Sequence, residues 1–246
     1  REAWKAFSGE KTDLNDFESL FGEDEEDNFE QIVEMPPNFH TLTGNCKSRA
    51  PLRYLEGRDI SRRDILKWKI GFCSDGPFKG RIIIPSFNEN GDLNYFIART
   101  FTDDYRRYKN PSVSRDIVFN ELYIDFDKEV TIVEGAFDAV KADNAVPILG
   151  STIRETSRLF KKIVQNNTPV LLALDPDAKY KANNIKRLFF KYGIEVRELQ
   201  YNDAVTEADK KLALEVATQT LGTPTKWRFL ALRRISARAA IKEQYA

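Results

Sequence analysis

Histidine and cysteine are nearly missing from this sequence. Its 246 residues include one histidine, His40, and two cysteines, Cys46 and Cys73. That set cannot build a four-ligand structural zinc site or a disulfide scaffold, so no zinc is expected in this chain. A Ser-His-Asp or Cys-His mechanism would have to run through His40, which lies in a polar, loop-like stretch. No apolar run approaches the roughly 20 residues that span a bilayer, so no membrane partner is expected. Net charge is also lacking, with 38 basic residues against 38 acidic ones. What is present is ordinary for a core-forming chain: 41% hydrophobic, 31% charged and 12% aromatic residues. Global disorder is thereby excluded.

The zero net charge hides an asymmetry. Residues 1–45 carry twelve acidic side chains and three basic ones, leaving +9 on the remainder. A moderately basic body suits a polyanionic partner, although an unevenly charged, solvated surface gives the same count. Residues 1–45 are expected to be an acidic, largely flexible linker, with a block of like charge at Glu23-Asp24-Glu25-Glu26-Asp27. Met35-Pro36-Pro37 punctuates the chain, and the folded body should begin near there. The sequence starts at Arg1, and no secretory apolar segment follows.

From Pro51 to Cys73 the apolar spacing predicts helix, interrupted at Gly57-Arg58-Asp59, with Ser61 as a helix N-cap. Arg81-Ile82-Ile83-Ile84-Pro85 predicts a strand, Asn90-Gly91 a hairpin turn, and Leu93 to Thr102 the return strand. After residue 125 the pattern changes. Four short apolar strands are expected at Val130–Val133, Pro147–Gly150, Pro169–Leu174 and Glu195–Leu199, alternating with helices over 136–142, 155–164 and a basic stretch to Tyr192. Buried strands alternating with helices mean a parallel α/β sheet.

In such sheets chemistry collects beyond the carboxyl ends of the strands. Glu134 follows the first strand, Asp175 and Asp177 follow the third, and Asp203 follows the fourth. Asp138 lies one helical turn past Glu134 and can face the same side. Converging carboxylates without histidine or thiolate describe a site for a hard cation such as Mg²⁺. Asp is equally at home as a turn residue or helix cap, so spacing alone leaves both uses open.

Val130-Thr131-Ile132-Val133-Glu134-Gly135-Ala136-Phe137-Asp138, followed by Leu171-Leu172-Ala173-Leu174-Asp175-Pro176-Asp177, resembles the Toprim domain of bacterial-type primases, topoisomerases, some nucleases and recombination mediators. The upstream region is similar to the core that precedes Toprim in primases: Gly80–Pro85, Gly91–Arg99, Tyr108-Lys109-Asn110-Pro111-Ser112 and Leu122-Tyr123. Tyr54 to Ser61 looks like the lead-in helix pair of that family, and the short tail and Asn-Gly hairpin look most like the T-even phage type. The resemblance implies an α/β fold: a Toprim parallel sheet flanked by helices over 128–205, preceded by a mixed α+β primase subdomain with an antiparallel sheet over 46–127, and followed by a helical region over 206–246. The zinc-binding module such primases carry is not encoded, which with the start at Arg1 suggests a truncated or partly ordered protein. The family's last acidic motif supplies two carboxylates; Asp203 fits one, while Val205 stands near the second.

The activity so implied is a DNA primase, a nucleotidyltransferase making short RNA primers from NTPs on a single-stranded DNA template. Glu134, Asp138, Asp175 and Asp177 would be catalytic, with Mg²⁺ (or Mn²⁺ in its place) held by Glu134, Asp175, Asp177 and Asp203. Arg81, Arg99, Lys109 and Asn110 would line a nucleotide- and DNA-binding groove, and Tyr95, Phe96 and Tyr108 are candidates for base stacking, core packing being the more natural use of Phe96. The basic tail bearing Trp227, Arg233, Arg234 and Arg238 would engage a replicative hexameric helicase or DNA. Such a protein works in the cytoplasm, that of a bacterial host if phage-encoded. The competing readings are a Toprim-type nuclease, which needs the acidic cluster but not the basic groove, and a non-catalytic single-strand-binding or helicase-adaptor module.

Overall fold

The computed structural model describes residues 33–42, 46–150 and 152–199. The expectations for Asp203, for residues 206–246 and for the acidic block at 23–27 lie outside the described residues. The chain divides into two compact units, with the change near Ile124 and Asp125.

The first unit is built on an antiparallel sheet in the order β1-β2-β3-β4, comprising β1 (Phe39–Thr41), β2 (Gly71–Cys73), β3 (Arg81–Phe87) and β4 (Leu93–Thr100). Helices α1 (Arg49–Glu56) and α2 (Arg62–Lys67) lie between β1 and β2 in sequence. The β3–β4 hairpin forms at the expected Asn90-Gly91 turn, where Gly91 takes φ +87°, a conformation glycine adopts without strain. Successive residues of β3 point to opposite faces, yet Ile82, Ile83 and Ile84 are all fully buried, so both faces of this strand are covered. One face packs Ile83, Phe96, Ala98, Cys73 and Val33 together.

Two parts of this unit differ from the sequence expectation. β1 lies within residues 1–45, read as linker, but beyond Met35-Pro36-Pro37 where the folded body is expected to begin, and the antiparallel pairing of Phe39 with Cys73 makes it part of the sheet. The helical pattern read through to Cys73 stops at Lys67, and Gly71–Cys73 is the strand β2. The stop is local. Lys69 takes φ +50°, and the Ile70 N–H donates back to the Ile65 carbonyl, which closes the helix. The same closure ends α1, through Asp59 at φ +58° and the Ile60 N–H to Leu55. In both cases the isoleucine that follows is buried and anchors the exit. At the other end of α2, Ser61 and Asp64 form the reciprocal capping box that fixes its start.

The second unit carries a parallel sheet in the order β6-β5-β7-β8, with β5 (Val130–Val133), β6 (Ala145–Pro147), β7 (Val170–Ala173) and β8 (Val196–Glu198). Helices α3 (Ala136–Lys141), α4 (Arg158–Gln165) and α5 (Lys179–Lys191) alternate with the strands. The expected α/β alternation is present, with β6 starting two residues earlier than its apolar run predicts. Every residue of β5 and β7 is buried, as strands covered on both faces require. Phe160 of α4 stacks on Phe189 of α5 at 5.3 Å between ring centroids. Asn144 ties the entry to β5 in place: its amide donates to the carbonyls of Asp125 and Glu129, and its side-chain oxygen accepts from the Asp125 N–H. Among the described residues no helix is long and apolar enough to cross a membrane.

Two outcomes are expected. At Gly71 an added Cβ would lie 2.3 Å from the Phe39 ring and 2.5 Å from the His40 carbonyl oxygen. Gly71→Ala should therefore displace β1 and cost on the order of 1–3 kcal/mol in urea unfolding, the range for forced overpacking. Cys73 is buried, and burial, followed by the charge of Asp75, pushes its thiol up to about 11. At pH 8 the folded protein should resist alkylation at Cys73, whereas protein in denaturant should be labelled there, as read by peptide mass spectrometry.

Candidate metal centre

The order β6-β5-β7-β8 is that of an open sheet in which the first strand has neighbours added on both sides. In this arrangement a crevice opens at the carboxyl ends of the first and third strands, here β5 and β7. The register aligns Val133 with Ala173, so the chain leaves both strands side by side. Glu134 is the first residue beyond β5. Asp175 follows β7 by one residue and precedes the 3-10 turn Pro176–Ala178, which also carries Asp177.

These three side chains converge. A carboxylate oxygen from each of Glu134, Asp175 and Asp177 lies within 4.8 Å of the others, with Glu134 partly buried and the two aspartates exposed. Two oxygens on opposite sides of one Mg²⁺ are roughly 4.2 Å apart, since each sits at about 2.0–2.1 Å from the ion. The cluster is thus near the dimensions of a shared cation, and exposed aspartates can close the remainder by rotamer change. The donor set, all oxygen and all anionic, fits a hard divalent ion.

The other expected members are placed differently. Asp138 lies in the first turn of α3 but is not part of the converging group. One of its carboxylate oxygens lies beside Gly135, 3.0 Å from where a Cβ would stand, so the absence of a side chain at 135 makes room for it. Asp203, the fourth expected ligand, lies outside the described residues.

A cation that sequence reasoning passed over is present in the cluster. Lys181, in the first turn of α5, donates to Glu134 Oε1 at 3.1 Å. No local spacing signals this contact, because Glu134 lies 47 residues earlier in the chain.

The four residues expected to line a nucleic-acid groove all belong to the first unit, and each has its polar group engaged internally. Arg81 is 2% exposed, and its guanidinium pairs with Asp104 at 2.5 Å. Here its charge holds the loop after β4 against β3. The Arg106 backbone N–H, helped by the charges of Arg81 and Arg106, holds the Asp104 carboxyl below its ordinary value. Arg99 donates to the Tyr54 hydroxyl at 3.1 Å and lies 4.8 Å over the Tyr108 ring. Lys109 donates to the Pro77 carbonyl, and Asn110 accepts from the Ala98 N–H. With Thr100 N–H to Arg107 and Lys109 N–H to Ala98, this segment covers the outer edge of β4. Of the candidate stacking residues, Tyr95 and Phe96 are buried and Tyr108 is half exposed. The tail residues Trp227, Arg233, Arg234 and Arg238 lie outside the described residues.

No protein-family model matches the sequence, and no curated protein matches it. Solved structures do match the fold. A DnaG primase catalytic domain bound to single-stranded DNA aligns with a TM-score of 0.55 at 15% identity, covering 80% of this chain and 74% of that one. The RNA polymerase domain of Mycobacterium tuberculosis primase DnaG aligns at 0.57 and 15% identity, covering 78% and 81%. The Escherichia coli primase catalytic core aligns at 0.53 and 15% identity, covering 94% and 80%. The fold is that of DnaG-type primase catalytic cores: an antiparallel four-stranded sheet in one unit and a Toprim α/β sheet in the other.

The cluster generates a stability prediction. Mg²⁺ should raise the melting temperature of the wild-type chain, because a ligand that binds only the folded state stabilises it. Asp177→Asn should melt higher than wild type in EDTA, where like-charge repulsion is relieved, yet gain little from Mg²⁺. At about 2–4 °C per kcal/mol for a chain of this size, differential scanning calorimetry resolves either change.

Proposed function

We propose that this chain is a DNA primase, a metal-dependent nucleotidyltransferase that joins NTPs into short RNA primers on single-stranded DNA. The observation that carries this reading is the convergence of Glu134, Asp175 and Asp177 at the β5/β7 crevice of a fold shared with primase catalytic cores. Some of those neighbours were crystallised with DNA, one with a single strand and one with a duplex bearing a 6-nucleotide overhang. Mg²⁺, or Mn²⁺ in its place, would supply charge neutralisation of the triphosphate and activation of the attacking hydroxyl. Glu134, Asp175 and Asp177 would hold the ion, with Asp203 a further candidate ligand. The half-exposed Tyr108, with Arg99 on its face, offers a ring on which a template base can stack.

The finer parts of the proposal follow the sequence resemblance. The chain is placed with the T-even phage type of primase on the Asn-Gly hairpin of its core. The basic tail with Trp227, Arg233, Arg234 and Arg238 is assigned to a replicative hexameric helicase. The internal pairing of Arg81 and Lys109 favours one competing reading in particular, a Toprim nuclease, because such an enzyme needs the acidic cluster without a basic groove.

Extension of a short RNA annealed to single-stranded DNA, with labelled NTPs and Mg²⁺ or Mn²⁺, separates these readings. Wild type should extend the primer by template-directed addition, and Asp175→Asn should lose at least about two orders of magnitude of that rate while still binding DNA, as expected when a charge-stabilising group is removed. Cleavage of the DNA without NTP incorporation would replace the primase with the nuclease. DNA or helicase binding with neither reaction would leave a non-catalytic adaptor.

A further inference from the structure

The ammonium of Lys181 sits against one member of the carboxylate cluster. It donates to Glu134 Oε1 at 3.1 Å, and that carboxylate is within 4.8 Å of Asp175 and Asp177. Neither partner is a free surface group: Lys181 is 20% exposed and Glu134 31%. The backbone beneath Lys181 is also fixed. Its neighbour Ala182 and the later residues Ile185 and Phe189 are buried on one face of α5. The base of the side chain is therefore held while its flexible four-carbon stem leaves the ammonium free to shift.

Charge counting gives this arrangement a consequence. Three carboxylates and one ammonium leave two negative charges, which one divalent cation balances. The same ammonium repels an arriving cation and occupies a lone pair of one of its ligands. We propose that Lys181 is the built-in counter-ion of the carboxylate cluster: it keeps the cluster assembled without metal, and a divalent cation binds by displacing it from Glu134. This inference rests on the metal-site reading above and adds a residue that tunes the affinity of that site. Its effect is to keep the cation exchangeable, because entry costs the Lys181–Glu134 pair every time.

The sign of the effect separates this role from a merely structural one. If Lys181 only supported the fold, or only held Glu134 in place, removing it would weaken metal binding. A displaced counter-ion predicts the reverse. Binding of Mn²⁺ to the full chain, followed by the electron paramagnetic resonance of the free ion, should be about fivefold tighter in Lys181→Met than in wild type, the scale of one partly exposed ion pair. Lys181→Gln provides a second neutral variant should Met disturb packing, and circular dichroism checks that each is folded. Lys181→Arg keeps the charge and should bind no more tightly than wild type. In EDTA the neutral variants should melt lower than wild type, and Mn²⁺ should raise their melting temperature by more. Mn²⁺ affinity in both neutral variants equal to or weaker than wild type would overturn the counter-ion role. If the neutral variants bind no more tightly while wild type binds Mn²⁺ and Asp177→Asn does not, the metal site stands and the Lys181 role alone falls. No Mn²⁺ binding by any variant or by wild type would overturn both.

Discussion

The parallel pairing of β5 with β7 is the constraint on which the candidate site depends. Neighbouring strands lie about 4.8 Å apart, and in a parallel pair both chains leave the sheet at the same end. With Val133 opposite Ala173, Glu134 and the Asp175–Asp177 turn emerge next to one another without any long excursion of the chain. The polar cluster thus rests on an apolar strand pair: Val130–Val133 and Val170–Ala173 are buried throughout and paired in register. A slip of one residue would shift Glu134 relative to the Asp175–Asp177 turn and separate the carboxylates. Asn144 at the entry to β5 and the Arg197–Glu129 ion pair between β8 and the residue before β5 brace the sheet around this pair.

The antiparallel unit uses its charged residues in a contrasting way. Arg81, Lys109 and Asn110 have the residue types of a phosphate-binding surface, but their polar groups satisfy carbonyls, amides and a carboxylate of the same unit. The reason lies in β4. Its outer edge carries backbone groups that need partners, and the segment Arg107–Asn110 provides them. Holding that segment requires an anchor, which the Arg81–Asp104 pair supplies. Basic character there is partly the cost of closing a sheet edge, so charge composition alone overstates the cationic surface.

What the sequence made legible, and what it hid, follows from the range of the forces involved. The β3–β4 hairpin was readable because Asn90-Gly91 is a local turn signal, and the capping box at Ser61 because it spans three residues. The α/β alternation was readable because buried parallel strands are continuous apolar runs. β1 and β2 were not, being three residues each and defined by partners far away in sequence. The end of α2 was hidden for a related reason: Lys69 is no helix breaker, and its left-handed conformation is held by the burial of Ile70. In the site, three carboxylates could be placed from strand ends. Helical spacing placed Asp138 near Glu134 but could not show that one of its carboxylate oxygens lies beside Gly135. Nor could burial of Arg81 be read, since it depends on Asp104, 23 residues along the chain.

The choice of cation at each ion pair follows the same physical logic. Where one end of a pair is almost fully buried, the basic partner is arginine: Arg81 itself at 2% exposure, and Arg197 against Glu129 at 5%. Guanidinium offers several fixed donors and never deprotonates, which suits a contact that must persist. At the carboxylate cluster the basic partner is lysine, a single mobile point charge on a flexible stem. An arginine there would bind Glu134 through a planar fork and contest the site with an entering cation. A neutral residue would leave three carboxylates facing one another whenever the cation is away, at a cost to the strand pair that positions them. Lysine meets both demands, because its attraction holds the metal-free cluster together and its mobility lets that attraction be given up.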